Sequence, residues 1–184
     1  MRQKTLALLT GILLLVLVPG TTASAEAFFK SWGISYYICE DMDLDNEDLK
    51  AMGLLLHFDA PLTTWKAFEL VFRLEGQAGG YWNYGAGMET ALIPALRANL
   101  LCADSFKPYL EGGIGPSFNE LDIYEMGSNL NFTSFAGMGF SWLLKKAMGI
   151  ETGVRLRHIS NAGLDERNHG VTSAFFHFGF ILYF

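Results

Sequence analysis

His158 and Ser160 stand two apart in a run of alternating residues, Gly149 to Asn161. A strand projects residues i and i+2 from the same face, so the imidazole and the hydroxyl are expected to be neighbours. Serine is a weak nucleophile at neutral pH until a base takes its proton, and a third group usually orients that base. Asn161 adds a side-chain amide of the kind that stabilises an oxyanion. Together these residue types suit nucleophilic acyl transfer. An isolated His-x-Ser is weak evidence, because each residue is ordinary at a strand end. The elements that would position the pair therefore carry much of the argument.

The first 25 of the 184 residues read as an export leader. Arg2 and Lys4 precede an apolar run from Leu6 to Pro19, and Ala23-Ser24-Ala25 resembles a cleavage site. A retained anchor is the alternative, disfavoured because the run is short for a spanning helix. Residues 26–184 then form one domain, and loss of the two leader cations takes the net charge from −6 to −8. An acidic chain of this kind does not favour nucleic acid. Cys39 and Cys102 would meet an oxidising compartment, yet the strand layout puts them near opposite ends, which argues against a disulfide.

Period-two alternation recurs in eight runs, the pattern of an antiparallel all-β chain. They are roughly Phe29 to Cys39, Lys50 to Asp59, Phe68 to Glu75, Gly87 to Leu101, Pro108 to Phe118, Asn131 to Leu144, Gly149 to Asn161 and Thr172 to Phe184. A turn is expected at Ala60-Pro61, a Gly- and aromatic-rich loop from Gly76 to Gly85, and a bulge or local break at Pro94. Eight alternating strands fit a soluble barrel with its apolar face inside or a membrane barrel with that face outside. Small and charged residues (Gly137, Gly139, Ser141; Glu69, Arg73, Glu75) suit a tight lumen, while the opposite rows are rich in Phe, Leu and Met. With the leader and a terminal aromatic strand ending at Phe184, the reading is an eight-stranded antiparallel transmembrane β-barrel. Both termini would be periplasmic, and the loops near 40–48, 76–85, 119–130 and 162–171 would face out of the cell.

Parity then aims the reactive pair. Arg155 and Arg157 belong in the lumen, so Val154, Leu156, His158 and Ser160 point toward lipid at the outer end of an ascending strand. Polar groups on that face are costly at mid-membrane and tolerable near headgroups.

The string His158-Ile159-Ser160-Asn161-Ala162-Gly163-Leu164, followed by Asn168-His169-Gly170 and an aromatic last strand, resembles the outer-membrane lipid A 3-O-deacylase family. The resemblance is close from Arg157 to Gly170 and looser over the mature chain. It implies Ser160 as nucleophile, His158 as general base and Asn161 in the oxyanion site. The implied reaction is hydrolysis of the 3-O-linked 3-hydroxyacyl chain of lipid A in lipopolysaccharide, in the outer membrane and without a cofactor. The family pattern places a glutamate 14 positions after the histidine, where this chain has Thr172. Three readings stay open. Thr172 orients the imidazole through a neutral hydrogen bond, Asp165 or Glu166 reaches it from the loop, or most activity is lost and the chain is a non-catalytic barrel with a structural or envelope-binding role.

The acidic loop from Glu40 to Asp48 alternates carboxylates but lacks the glycine and closing glutamate of an EF-hand, so it reads as a solvated loop. Trp65, Tyr81 and Trp82 read as interfacial anchors. His57, His169 and His177 do not make a metal-ligand spacing, and no metal is expected.

Overall fold

The computed structural model describes residues 28–42, 49–82, 87–121 and 127–184, so the expected leader and most of the acidic loop lie outside the described residues. Eight strands form a closed barrel: β1 (Ser31–Asp41), β2 (Lys50–Trp65), β3 (Phe68–Tyr81), β4 (Met88–Leu100), β5 (Phe106–Asn119), β6 (Leu130–Lys145), β7 (Met148–Ser160) and β8 (Val171–Tyr183). Each strand pairs antiparallel with its sequence neighbours, and β8 closes on β1 from Ser31 opposite Tyr183 to Asp41 opposite Ser173. Closure leaves no sheet edge for lipid to strand.

The two faces are sorted as a membrane barrel requires. Ile34, Leu54, Leu96, Leu110, Met138, Val154, Phe176 and Phe180 are exposed on the outside. Inside, among the described residues, four arginines (Arg73, Arg97, Arg155, Arg157) and five carboxylates (Asp59, Glu75, Glu89, Glu111, Glu151) are buried. A soluble barrel would reverse this arrangement.

The lumenal charges form a connected lattice. Arg73 grips Asp59 through two bonds of 2.7 and 2.8 Å and reaches Glu151 at 3.2 Å. Arg97 bridges Glu111 at 2.7 Å and Glu151 at 2.9 Å. Arg155 binds Glu75 through two bonds of 2.7 Å and Glu111 through a third of 2.7 Å. Toward the loop end, Glu89 accepts from Arg157 at 2.9 Å, from Gln77 at 2.7 Å, and from the hydroxyls of Tyr37 and Tyr81. Charges withdrawn from water are tolerated only when paired and hydrogen-bonded in this way.

Several expectations need correction. β2 does not stop at Asp59 but continues to Trp65, taking up Pro61 through a register shift between Pro61 and Thr63; the tight turn comes later, where Lys66 adopts φ 53°. Residues 76–81 are not a loop but the upper part of β3. Glycine is required there because the Tyr37 ring crosses the lumen against Gly53 and Gly79, whose missing Cβ atoms leave it room. Tyr81 is therefore no interfacial anchor: it is buried and bonds Glu89 and Asn119. Trp65 and Trp82 are exposed, as an anchoring role needs.

At Pro94 the β4–β5 ladder breaks without slipping. Pairing runs through Ala91 opposite Ser117 and resumes at Ala95 opposite Gly113. The continuing register would set Leu92 against Pro116 and Pro94 against Ile114, and neither proline has an N–H to donate. Cys39 is buried beside Arg157, Cys102 is exposed in the turn at the opposite end, and both are free.

The lattice predicts an asymmetric response to mutation. Arg155→Met leaves Glu75 buried without its cation and should destabilise the barrel by about 3–5 kcal/mol. Adding Glu75→Gln should recover part of that loss, as read from the denaturant midpoint of heat-modifiable gel mobility.

Candidate active site

β7 carries the pair, and the lattice decides which way it faces. Arg155 and Arg157 are buried on their carboxylates, and a strand alternates, so Val154 and Leu156 are exposed on the outer face. His158 and Ser160 continue that outer row and are half-buried. β7 ends at Ser160, at the same end of the barrel as the long connections. A polar pair is tolerated there, beyond the apolar stretch of its own row.

The neighbouring strands bracket the histidine. Register sets His158 opposite Ser134 of β6 and Thr172 of β8, and Ser160 opposite Phe132. His158 Nδ1 lies 3.1 Å from Thr172 Oγ1. A proton on Nδ1 donated to that hydroxyl leaves the Nε2 lone pair as the basic position. Thr172 is itself tied down, because its carbonyl accepts from the Met42 N–H at 2.8 Å just past the end of β1. On the other side, Ser134 Oγ approaches the His158 carbonyl at 3.5 Å.

The turn after Ser160 is organised by Asn161. Its N–H donates to Asn168 Oδ1 at 2.8 Å, its amide donates to the Arg167 carbonyl at 2.8 Å, and its Oδ1 accepts from the Gly163 N–H at 2.9 Å. These bonds hold Ala162 and Gly163 at φ 53° and 82°, a left-handed pair in which alanine is uncommon. The Arg167 carbonyl also accepts from Gly127 at 3.1 Å, joining this turn to the β5–β6 connection. Asn161 is thus 1% exposed and engaged in the turn, rather than presenting its amide on the outer face beside Ser160. The expected oxyanion role meets that geometry: one amide proton and the carbonyl oxygen of the side chain are already committed.

Of the acids weighed as the third residue, Asp165 accepts from the Arg167 N–H at 3.0 Å and lies 3.8 Å from its guanidinium. Glu166 is exposed in the same turn. The Nδ1 partner is Thr172. Ser134 and Met42 were not anticipated, since both depend on cross-strand register that spacing within one strand does not reveal. Among the described residues, no cluster of three His, Cys, Asp or Glu side chains could hold a metal ion.

Loss of two hydrogen bonds worth about 1 kcal/mol each should open the turn roughly 10- to 30-fold more often in Asn161→Ala. Trypsin cleavage after the exposed Arg167, followed by mass spectrometry in detergent micelles, should accelerate by a similar factor.

Comparison with known proteins agrees with this construction. The crystal structure of the outer membrane enzyme PagL aligns with TM-score 0.69 at 22% identity, over 80% of this chain and 97% of that one. Neisserial surface protein A aligns with TM-score 0.57 at 13% identity, over 86% and 98% of the two chains. At these identities the likeness concerns the fold. The lipid A deacylase PagL of Pseudomonas aeruginosa is 35% identical over 111 residues, 53% of this chain and 62% of that protein. The match thus spans under two thirds of the length of that relative. A family model described as lipid A 3-O-deacylase (PagL) matches residues 52–180, well over half of the chain and including β7 and most of β8. With its strands, its outward pair and this match, the chain belongs to the lipid A 3-O-deacylase (PagL) family.

Proposed function

We propose that this chain is an outer-membrane serine esterase that hydrolyses the 3-O-linked acyl chain of lipid A in lipopolysaccharide, without a metal or other cofactor. The observation that carries the reading is the outward His158–Ser160 row at the outer end of the barrel, with His158 Nδ1 held by Thr172. A lumenal pair would meet water and the charged lattice. An outward pair meets the acyl esters of a lipid lying alongside the barrel, and family membership makes lipid A that lipid.

In this scheme Ser160 Oγ attacks the ester carbonyl while His158 Nε2 takes its proton. The tetrahedral intermediate collapses with cleavage of the bond between the acyl carbon and the sugar 3-oxygen, as Nε2–H protonates that oxygen to the free 3-hydroxyl, leaving the acyl group on Ser160. Water, deprotonated by the same nitrogen, then releases the 3-hydroxy fatty acid and restores the serine. Asn161 contributes to the oxyanion site through the turn it holds after Ser160.

Thr172 orients the imidazole but brings no negative charge to the imidazolium that forms during attack. A triad that loses its acid can lose up to about 10⁴-fold in rate, so the expected enzyme is a slow one. Glu166 stands in the exposed part of the turn and takes no part in this scheme.

Purified protein in detergent should release 3-hydroxy fatty acid from lipopolysaccharide, measured by mass spectrometry, and Ser160→Ala and His158→Ala should abolish release. Equal release from all three proteins, or none from the unaltered chain, would contradict the reading. Thr172→Glu should raise the rate by about tenfold or more, and Thr172→Val should lower it by about the same factor.

A further inference from the structure

Gly170 lies one residue before β8, where the connection from Ser160 returns to the sheet. It is buried and has φ 74°, a conformation that L side chains rarely adopt. Its surroundings are more specific than its backbone. A Cβ built on Gly170 would stand 2.7 Å from His158 Cε1, 2.8 Å from His158 Nε2 and 2.8 Å from the Ile159 carbonyl oxygen. The edge of the imidazole that carries the basic nitrogen therefore occupies the space that a side chain at Gly170 would need.

Gly163 in the same connection makes a useful contrast. It has a similar φ of 82°, yet a Cβ there would meet nothing within 4 Å. The turn needs glycine at Gly163 for its backbone angle alone, whereas at Gly170 the histidine ring supplies a second reason.

From this crowding we infer that Gly170 is a positioning residue for His158: the absence of a side chain there lets the imidazole keep the orientation set by Thr172. Thr172 meets Nδ1, and Gly170, by carrying no side chain, leaves free the space that Cε1 and Nε2 occupy. The inference rests on the proposed role of His158 as general base, and it deepens that reading by identifying what sets the aim of Nε2. A side chain at Gly170 would tilt the ring away from Ser160 while leaving the outer apolar face unchanged. The loss should thus fall on turnover, not on lipid binding.

The test uses the full-length protein folded in detergent, as Gly170→Ala, Gly163→Ala, His158→Ala and the two double variants that combine each glycine change with His158→Ala. A misplacement of about 1 Å can cost about 100-fold, so Gly170→Ala should lower kcat by at least tenfold with KM within about twofold. Folding, read as the denaturant midpoint of heat-modifiable mobility, should show coupling. The penalty of Gly170→Ala should shrink when His158 is alanine, because the added methyl then has room, and the penalty of Gly163→Ala should be the same in both backgrounds. If Gly170→Ala alone does not fold, recovery of folding in the double variant supports the contact in the same way.

Unchanged kcat in Gly170→Ala, or an equal folding penalty with and without His158, would overturn the inference. The folding arm needs no catalysis. If the unaltered protein releases no fatty acid, the esterase reading fails while the coupling still tests the packing of Gly170 on His158.

Discussion

The pairing of arginines and carboxylates inside the barrel is the constraint on which the rest depends. Side chains alternate with a period of two, so a one-residue slip in any strand would turn its lumenal charges into lipid and its apolar row into the lattice. The three bonds of Arg155 to Glu75 and Glu111, and the bonds of Arg157 to Glu89, therefore do more than stabilise the lumen. They fix the parity of β7. Because two arginines must point inward, the residues between and beyond them must point outward, and His158 and Ser160 inherit their direction from that requirement.

A second consequence concerns what surrounds the histidine. Its ring meets one short stretch at the start of β8: Thr172, whose own carbonyl is fixed by Met42 just past the end of β1, and Gly170, whose missing side chain leaves the ring its room. The connection is folded by Asn161, through bonds to Arg167, Asn168 and Gly163. Rigid strands thus present the pair, while the turn settles its surroundings. Functional groups held this way on a rigid scaffold lose little precision to loop motion.

The number of strands, their antiparallel order and the direction of His158 and Ser160 were legible in the sequence because they follow from alternation and from the cost of charge in lipid. The upper half of β3 was not. Gly76, Gly79 and Gly80 carry the composition of a loop, and only the three-dimensional structure reveals that the Tyr37 ring fills the space at Gly79. Pro61 likewise suggested a turn where the strand accommodates it by a register shift. At the site, the partner of His158 was within reach of sequence reasoning, since Thr172 has the right parity and spacing. The engagement of Asn161 in its own turn was not, because a side-chain amide looks equally available for an oxyanion or for local hydrogen bonds until the chain direction after Ser160 is known.

The central claim is that an outward-facing serine is activated by the histidine two residues before it. Covalent capture with a long-chain alkyl fluorophosphonate, applied to the protein in lipid vesicles and located by peptide mass spectrometry, tests that claim directly. The account predicts phosphonylation at Ser160 that is lost when His158 is replaced by alanine. Labelling confined to another residue, no labelling at all, or labelling of Ser160 at the same rate without His158 would contradict it.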